Sequence, residues 1–163
     1  MQIRLKTVTN ENDIALAAQL AREIWHEHYD ALLGSAQVDY MLSHFQSETA
    51  IKEQIGKGTV YLLAYWDDEP AGYCAYRPEE ERMFLSKIYV KNDLRGRGIG
   101  KAFFDYVEGQ SNGKKSVYLT VNKHNDHSIA VYKRVGFSVA DQVKTDIGEG
   151  YYMDDYIMEK ALA

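Results

Sequence analysis

The sequence predicts a mixed α/β fold in which residues 1–163 form one domain. Short runs rich in β-branched and aromatic residues alternate with segments whose apolar residues recur at helical spacing. One of the strand-like runs ends in a glycine-rich turn that opens directly onto a helical segment. The chain has only two prolines and no Ser/Gly-rich linker, so the sequence offers no point at which to divide it.

The first half of the chain is predicted as a strand, three helical segments and a hairpin. In order, these elements cover residues 3–8, 11–29, 38–45, 47–55, 60–65 and 72–76. Thr9 or Asn10 can cap the first helix and Ser47 the third, because their side-chain oxygens accept hydrogen bonds from early helix N–H groups. Residues 67–70 read Asp-Asp-Glu-Pro, a composition typical of the turn between two hairpin strands.

The second half is predicted as two strand–helix units followed by two strands. In order, the elements cover residues 84–90, 102–107, 117–121, 125–135, 138–145 and 151–158. Residues 78–81 form a charged loop before the first unit. Gly136 follows the last helix and is predicted to end it in a left-handed conformation.

Composition excludes several classes of protein. The net charge of −5 argues against nucleic acid, whose partners need a basic face. No run approaches the ~20 apolar residues of a membrane span, and the N-terminal residues lack the apolar block of a signal peptide. The single cysteine, Cys74, suits a reducing compartment and is predicted to be a small buried hydrophobe. We therefore expect a cytoplasmic protein without nucleic-acid or membrane partners.

The glycine-rich turn is the first motif that carries chemistry. It reads Arg95-Gly96-Arg97-Gly98-Ile99-Gly100-Lys101 and follows the strand at 84–90. Glycine lets the backbone approach a ligand closely, and the first turn of a helix has unpaired N–H groups, so this turn suits a phosphate. The glycine spacing fits neither a P-loop nor the dinucleotide fingerprint G-x-G-x-x-G. A tight connection without a ligand is the alternative interpretation.

A second motif follows the strand at 117–121. Asn125 opens a helix, Tyr132 lies seven positions later, and Gly136-Phe137 leads into the next strand. Taken singly, Asn125 can be an N-cap and Tyr132 a core aromatic. The two motifs together have a further interpretation, because the pattern Arg-x-x-Gly-x-Gly at 95–100 and this Asn–Tyr–Gly-Phe arrangement resemble the GNAT superfamily of acetyl-CoA-dependent N-acetyltransferases.

The resemblance covers most of the chain and implies a fold. It implies a single GNAT-like domain with a central, mostly antiparallel sheet and helices on both faces. In that family the strands equivalent to residues 85–90 and 117–121 splay apart at one end. The cofactor arm then lies in the cleft and pairs with exposed strand backbone, as an added strand does.

The resemblance also implies direct transfer of an acetyl group from acetyl-CoA to a primary amine in a ternary complex. The pyrophosphate would meet the loop backbone and the charges of Arg95 and Arg97, while the pantetheine arm would follow the backbone of residues 88–90. Tyr132 would act as general acid toward the departing thiolate. The implied cofactor-binding residues are Ile88, Tyr89, Val90, Arg95, Gly96, Arg97, Gly98, Ile99, Gly100, Lys101 and Asn125.

The chain departs from the family pattern where a general base is needed. Some members carry a glutamate near the start of the first motif strand, but this chain reads Phe84-Leu85-Ser86-Lys87 there. The candidate bases elsewhere are Glu79, Glu80, Glu81, Glu23, His26 and Glu27, and a water chain to a remote base is an equal alternative. A catalytically silent acyl-CoA-binding module is therefore the runner-up interpretation.

The acceptor-facing regions, residues 23–45 and 145–155, match no motif. Residues 23–45 contain Trp25, His26, His28, Tyr29 and Tyr40. This aromatic and imidazole-rich zone could contact a cation. A loose likeness to bacterial polyamine acetyltransferases suggests a small polyamine, with Asp154 and Asp155 binding its ammonium ends; a protein N-terminus or lysine is the alternative acceptor. A homodimer is common in the family. No three histidines or cysteines cluster in the sequence, so no metal is expected.

Overall fold

The structure, a computed structural model, describes residues 2–162, the side chain of Lys87 excepted. The strands are β1 Ile3–Thr7, β2 Val60–Trp66, β3 Glu69–Pro78, β4 Arg82–Val90, β5 Ser116–Asn122, β6 Ser138–Gly148 and β7 Tyr151–Ala161. The helices are α1 Glu11–Leu33, α2 Ser35–Phe45, α3 Glu48–Gly56, α4 Ile99–Gly109 and α5 Asp126–Arg134. A short 3₁₀ turn, Asn92–Leu94, precedes α4.

Within residues 2–162, seven strands form one sheet in the order β1-β2-β3-β4-β5-β7-β6. Neighbouring strands are antiparallel except β4 and β5, which are parallel. The prediction of a mixed α/β fold with a mostly antiparallel sheet is therefore confirmed.

The two motif strands, β4 and β5, splay apart. Their pairing joins residues 82–84 to residues 116–118, and the described chain shows no further register between them. The antiparallel neighbours of each strand continue well past this point, because β3 pairs with β4 as far as Val90 and β7 pairs with β5 as far as Asn122. A cleft therefore opens between β4 and β5 at the end that carries the glycine-rich turn, as the resemblance implied.

A β-bulge in β4 accompanies the splay. Tyr76 of β3 faces Leu85, whereas Cys74, two residues earlier in β3, faces Ile88, three residues later in β4. The extra residue in β4 bends the strand, because a bulge leaves one residue unpaired and increases the local twist. The bulge begins just beyond Phe84, where pairing with β5 stops. We infer that it directs the end of β4 away from β5.

Helices cover both faces of the sheet, as predicted. On one face α4 and α5 bury a core that includes Phe103, Val107 and Ile129. On the other face α1, α2 and α3 bury a second core that includes Ile24 and Ile51. Fully burying a side chain of this size contributes about 1.5–3 kcal/mol, so both layers hold the sheet firmly.

The predicted helix caps are present. The Asn10 side chain accepts a hydrogen bond from the Asp13 N–H at 2.9 Å, and the Ser47 hydroxyl accepts one from the Ala50 N–H at 3.1 Å. Gly136 follows α5 with a φ of +107°, as its predicted left-handed conformation requires.

Several elements extend beyond their predicted limits. Helix α1 continues past Tyr29 to Leu33, because residues 30–33 contain good helix formers and Gly34 is the first breaker. The hairpin turn is Asp67-Asp68, with φ of 47° and 70°, rather than residues 67–70. Pro70 is accommodated in β3 because the register shifts opposite it, and prolines are tolerated at such bulges.

Among the helices of residues 2–162, none is long and apolar enough to cross a bilayer. The cytoplasmic location itself stays a prediction.

Candidate functional site

A cavity of about 580 Å³ lies at the open end of the splay, on the side of α4 and α5. Its lining is mostly apolar and includes charged side chains from the loop, from the two helices and from β7. The residues that line it are His28, Ile88, Val90, Leu94, Arg95, Gly96, Gly98, Ile99, Gly100, Lys101, Phe104, Asp105, Glu108, His127, Ser128, Val131, Tyr132, Arg134, Val135 and Lys160. Both sequence motifs therefore contribute to a single cavity.

The glycine-rich loop forms one wall. Gly96 and Gly98 have φ of +78° and +86°, a conformation that favours glycine, and Gly98 directly precedes α4. Within the described structure no side chain caps α4, and the first turn of any helix lacks intrahelical partners for its N–H groups. These donors and the positive end of the helix dipole border the cavity and suit a phosphate.

The loop side chains take different directions. Arg95 lines the cavity, whereas the Arg97 guanidinium lies 5.2 Å from the centre of the Trp66 ring. Lys101 pairs with Asp105 at 2.7 Å on the cavity rim. Of the two predicted arginine charges, the structure thus brings that of Arg95 to the cavity and directs that of Arg97 to an aromatic ring.

Successive side chains of β4 point to opposite faces of the sheet. Ile88 and Val90 line the large cavity, and Tyr89 points to the opposite side of the sheet, where it stacks on Tyr73 with ring centres 5.0 Å apart. The backbone of residues 88–90 pairs with β3 on one edge. Its other edge faces the splay, where an extended ligand can pair with it.

Tyr132 of α5 is buried against two phenylalanine rings, that of Phe104 in the cavity lining and that of Phe137 outside it. Its ring lies 5.8 Å from that of Phe104 and 5.9 Å from that of Phe137, both edge-on. Burial raises the pKa of Tyr132 well above its ordinary value, and Tyr29 adds to the rise, while a hydrogen bond with the Ile88 backbone lowers it. The hydroxyl therefore keeps its proton at neutral pH and lies close to β4.

Asn125 performs the structural role that the sequence left open. Its side-chain oxygen accepts a hydrogen bond from the Ser128 N–H at 3.3 Å and so caps α5. Asn125 lies outside the cavity lining, whereas Ser128 and His127 in the same first turn belong to it. Contact between Asn125 and a cofactor stays a prediction.

A second, much smaller cavity of about 30 Å³ lies on the other side of β4. Aromatic and thioether side chains surround a single carboxylate in its lining. The lining residues are Trp25, Tyr29, Leu33, Gln37, Met41, Tyr89, Asn122, Tyr152, Met153 and Asp155. Because Asn122 ends β5 and Tyr89 lies in β4, this cavity borders the same splay as the large one.

The residues of the predicted acceptor zone lie in several different parts of the structure. Trp25, Tyr29 and Asp155 meet in the small cavity, as the prediction of an aromatic and acidic site requires. The Tyr40 hydroxyl instead donates to the Ile147 carbonyl at 2.5 Å. Asp154 pairs with Lys123 at 3.1 Å, so the structure separates the predicted Asp154-Asp155 pair.

The two predicted histidines also separate. His26 bridges Asp30 at 2.7 Å and Asp39 at 2.8 Å, a contact between α1 and α2. His28 lines the large cavity, where Arg95 Nη2 donates to its Nε2 at 2.5 Å. Burial, followed by the charge of Arg95, lowers the pKa of His28 to about 4, so the ring is neutral at pH 7 and accepts this hydrogen bond.

The glutamates just upstream of β4 lie at the closed end of the splay, and their role as bases stays a prediction. Glu79 accepts a hydrogen bond from the Tyr118 hydroxyl at 2.6 Å, beside the closed end of the splay. Nine residues of β4 separate this end from the glycine-rich loop, and nine extended residues span about 30 Å. Glu80 and Glu81 precede the same strand end.

The glutamates of α1 lie nearer to the open end. Glu27 accepts a long hydrogen bond from the Asn92 N–H at 3.4 Å, and Glu23 lies 3.7 Å from the Lys91 amine. Both contact the turn after β4, yet they stand outside the lining of the two cavities. None of the predicted glutamates therefore lines either cavity. Among the described residues, the carboxylates of the large cavity are Asp105 and Glu108, which pair with Lys101 and Lys160, and Asp155 is the one carboxylate of the small cavity.

Four residues of the small cavity lie in the predicted acceptor-facing regions, but sequence reasoning did not single them out. Gln37 and Met41 come from α2, where a spacing of four places them on one helix face. Tyr152 and Met153 come from β7 and reach the cavity only because β7 pairs with β5. The helical spacing was a readable signal, whereas the strand pairing was not. Among residues 2–162, no three potential metal-binding side chains lie together.

Comparison with known proteins identifies the family. The sequence model of the acetyltransferase (GNAT) family matches residues 19–137. Peptidyl-lysine N-acetyltransferase YjaB of Salmonella typhimurium is 23% identical, over 93% of this chain and 94% of its own. The PaiA N-acetyltransferase of Thermoplasma acidophilum, solved in complex with coenzyme A, superposes with a TM-score of 0.82 at 22% identity and covers 99% of this chain and 100% of its own.

A third relative has been solved with a ligand that joins cofactor and acceptor. Arabidopsis thaliana Naa50, in complex with the bisubstrate analogue CoA-Ac-MVNAL, has a TM-score of 0.69 at 23% identity and covers 99% of this chain and 100% of its own. These likenesses concern the fold, and the family match spans well over half of the sequence. With its sheet, its loop and its two cavities, the chain belongs to the GNAT family and is an N-acetyltransferase of that family.

Proposed function

We propose that this enzyme transfers the acetyl group of acetyl-CoA to a primary alkylamine by direct attack in a ternary complex. One observation carries the proposal: a large cavity and a small one flank β4 at the open end of the splay. Tyr29 of the small cavity is close enough to Tyr132 of the large one to raise the pKa of Tyr132. A donor and an acceptor bound in the two cavities would therefore meet between β4 and β5.

The large cavity suits acetyl-CoA in both size and chemistry. The N–H groups of the loop and of the first turn of α4 would hold the diphosphate, with the charge of Arg95 beside them. The pantetheine arm would pair with the free edge of residues 88–90, and Ile88, Val90 and Val131 would contact its apolar stem. The predicted cofactor residues thus gain support from their shared location, except Tyr89, Arg97 and Asn125, whose side chains lie outside the cavity lining.

Tyr132 is proposed as the group that protonates the departing thiolate. Its raised pKa keeps the proton on the hydroxyl until a stronger base than water appears beside it. Attack by the neutral amine forms the new C–N bond, the C–S bond then breaks, and the sulfur takes the Tyr132 proton. The proton that the nitrogen loses passes through water to the Tyr132 oxygen and restores the hydroxyl. A backbone N–H of residues 88–90 would stabilise the oxyanion that forms on the carbonyl oxygen.

The small cavity suits the end of an alkylamine. A volume of about 30 Å³ admits a narrow, unbranched stem, and the aromatic walls and the Asp155 carboxylate favour an ammonium group. A small polyamine is the first candidate acceptor. The lysine side chain of a polypeptide is the second, favoured by the separation of Asp154 from Asp155 and by the naming of YjaB as a peptidyl-lysine acetyltransferase.

The experiment is thiol release from acetyl-CoA against a panel of amines: spermidine, spermine, putrescine, lysine, peptides with an internal lysine, peptides with a free N-terminus, and aminoglycosides. We expect saturable turnover with an alkylamine and a preference between the polyamines and the lysine peptides. Acetyl-CoA binding is measured in parallel by calorimetry. Tight acetyl-CoA binding with no turnover on any amine would overturn the proposal and favour the silent acyl-CoA-binding module.

A further inference from the structure

A buried chain of hydrogen bonds lies beneath the small cavity. The indole N–H of Trp25 donates to the Tyr73 hydroxyl at 2.9 Å, and the Tyr73 hydroxyl donates to the Gln46 side-chain oxygen at 2.6 Å. Tyr73 is 1% exposed, Trp25 6% and Gln46 8%. Trp25 lines the small cavity, whereas Tyr73 and Gln46 lie behind it. These hydrogen bonds therefore connect a cavity wall to groups that no ligand in the cavity would touch.

Gln46 holds one end of this series of hydrogen bonds, at the residue where α2 ends. It is the residue that follows α2, and its side-chain amide donates to the Phe45 carbonyl at 2.6 Å and to the Tyr61 hydroxyl at 3.0 Å. The Tyr61 hydroxyl in turn donates to the Gln54 side-chain oxygen of α3 at 2.5 Å. Helix α2 also carries Gln37 and Met41 of the cavity lining. These hydrogen bonds thus connect the wall of the cavity that α1 forms to the wall that α2 forms.

The indole also contacts the strand that separates the two cavities. The Trp25 ring lies 5.6 Å from that of Tyr89 and 5.8 Å from that of Tyr29, the latter edge-on. Tyr89 stacks in turn on Tyr73. A rotation of the indole would therefore change the shape of the small cavity on two sides, and the Tyr73 hydrogen bond opposes that rotation.

We propose that Tyr73 and Gln46 are positioning residues that hold the Trp25 indole as a fixed wall of the acceptor cavity. The inference rests on the proposed function, since it assigns the small cavity to the amine. Removal of the Tyr73 hydroxyl leaves two buried polar atoms unpaired, the Trp25 N–H and a Gln46 oxygen. A buried unpaired group costs about 1–3 kcal/mol, so the indole would turn to regain a partner.

The test compares Tyr73→Phe with Tyr61→Phe. Both hydroxyls are buried and belong to the same network, but Trp25 contacts only that of Tyr73, and Gln46 keeps its bond to the Phe45 carbonyl when Tyr61 changes. We expect Tyr73→Phe to raise the KM for the amine roughly tenfold, the factor equivalent to about 1.4 kcal/mol, with the acetyl-CoA Kd within twofold. Tyr61→Phe should leave the amine KM within twofold. Equal effects of the two variants, or an unchanged KM in Tyr73→Phe, would overturn the inference.

A fluorescence measurement tests the inference without turnover. The chain has two tryptophans, so Trp66→Phe leaves Trp25 as the single indole emitter. In that background, Tyr73→Phe should shift the Trp25 emission and increase its quenching by acrylamide, whereas Tyr61→Phe should not. Spermidine and an Nα-acetyl-lysine amide are then titrated as probes; saturable changes that weaken in Tyr73→Phe support the inference even if no amine is acetylated. Emission that is unaltered by Tyr73→Phe would contradict it.

Discussion

The Tyr132 hydroxyl keeps its proton because its surroundings penalise a buried phenolate. Burial against Phe104 and Phe137 removes the water that would solvate the charge, and this is the largest cause of the raised pKa. An acid with such a pKa is fully protonated across the physiological range. The raised pKa also makes Tyr132 a weaker acid than the thiol that it would form, so the proton released by the attacking nitrogen must restore the Tyr132 hydroxyl.

Tyr132→Phe should therefore lower kcat while leaving acetyl-CoA binding intact. A positioned general acid contributes roughly 10²–10⁴ in rate, so we expect kcat to fall at least about a hundredfold. Steady-state turnover and calorimetric titration with acetyl-CoA check the two parts. Tyr106→Phe, a change on α4 outside the cavity lining, is the control and should retain the activity of the unaltered enzyme.

The pH dependence of kcat follows from the sign of the same pKa shift. The acid form is the active one, and a pKa raised above its ordinary value keeps that form populated as pH rises. Between pH 7 and pH 10, kcat should show no descending limb that Tyr132 causes. A descending limb below pH 9 that vanishes in Tyr132→Phe would contradict the assignment.

Gly98 controls the loop through its backbone. A Cβ at Gly98 would meet only the Ile3 side chain, at 3.9 Å, so the φ of +86° is the obstacle to substitution. The left-handed conformation costs an L-residue about 1–2 kcal/mol, so Gly98→Ala should raise the acetyl-CoA Kd about tenfold. Gly109→Ala, at the end of α4 where a Cβ has open space, is the matched control and should bind normally. Equal affinities for both variants would show that the loop tolerates the strain.

At the scale of single residues, the sequence revealed those whose role depends on local chemistry. Gly98 and Tyr132 were found because each belongs to a short motif with a fixed spacing. Trp25 and Tyr73 lie 48 positions apart, and their hydrogen bond depends on how α1 packs on β3. No local pattern encodes such a contact. The same reason explains why Met153 was not singled out within residues 145–155 and why the roles of Asp154 and Asp155 could not be separated.

Among the elements, α3 depends most on a local interaction. It has nine residues, a length at which an isolated helix is marginal, and the Ser47 hydroxyl satisfies one of its first N–H groups. Ser47→Ala should lower the free energy of unfolding by about 1 kcal/mol, as measured by chemical denaturation. Ser35→Ala, at the exposed start of α2, where the described contacts include no side-chain cap, should change it by less than half as much. A larger loss in Ser35→Ala would contradict the capping argument.

The elements themselves were largely predictable, but the geometry between them was not. Periodicity and breakers located the strands and helices to within a few residues, because amphipathic helices and half-buried strands have distinct periods. The bulge in β4 left no mark on that periodicity. Residues 84–90 read as one continuous strand. The extra residue is recognised only from the pairing of β4 with Cys74 and Tyr76 of β3.

At the scale of the molecule, the splay leaves a gap in the sheet that a bound cofactor arm would fill. Acetyl-CoA at a hundred times its Kd should stabilise the folded state by about 2.7 kcal/mol, which raises the Tm of a chain of this size by about 5–10 °C. Differential scanning calorimetry measures the shift. Adenosine 3′,5′-bisphosphate, which lacks the pantetheine arm, should give a clearly smaller shift at the same concentration. An equal shift would mean that the arm adds nothing to the sheet.

The bulge makes the length of β4 as significant as its composition. Leu85 and Ile88 face the same core although three positions separate them, because the bulge adds one residue to the strand. The loss of one residue between them would leave Ile88, Tyr89 and Val90 on their present faces but would remove the bulge and its bend. Substitutions in this stretch alter one contact at a time, but a single-codon deletion would let β4 continue beside β5 and close the cleft between them. Insertions and deletions should therefore be far rarer here than replacements among functional descendants of this gene.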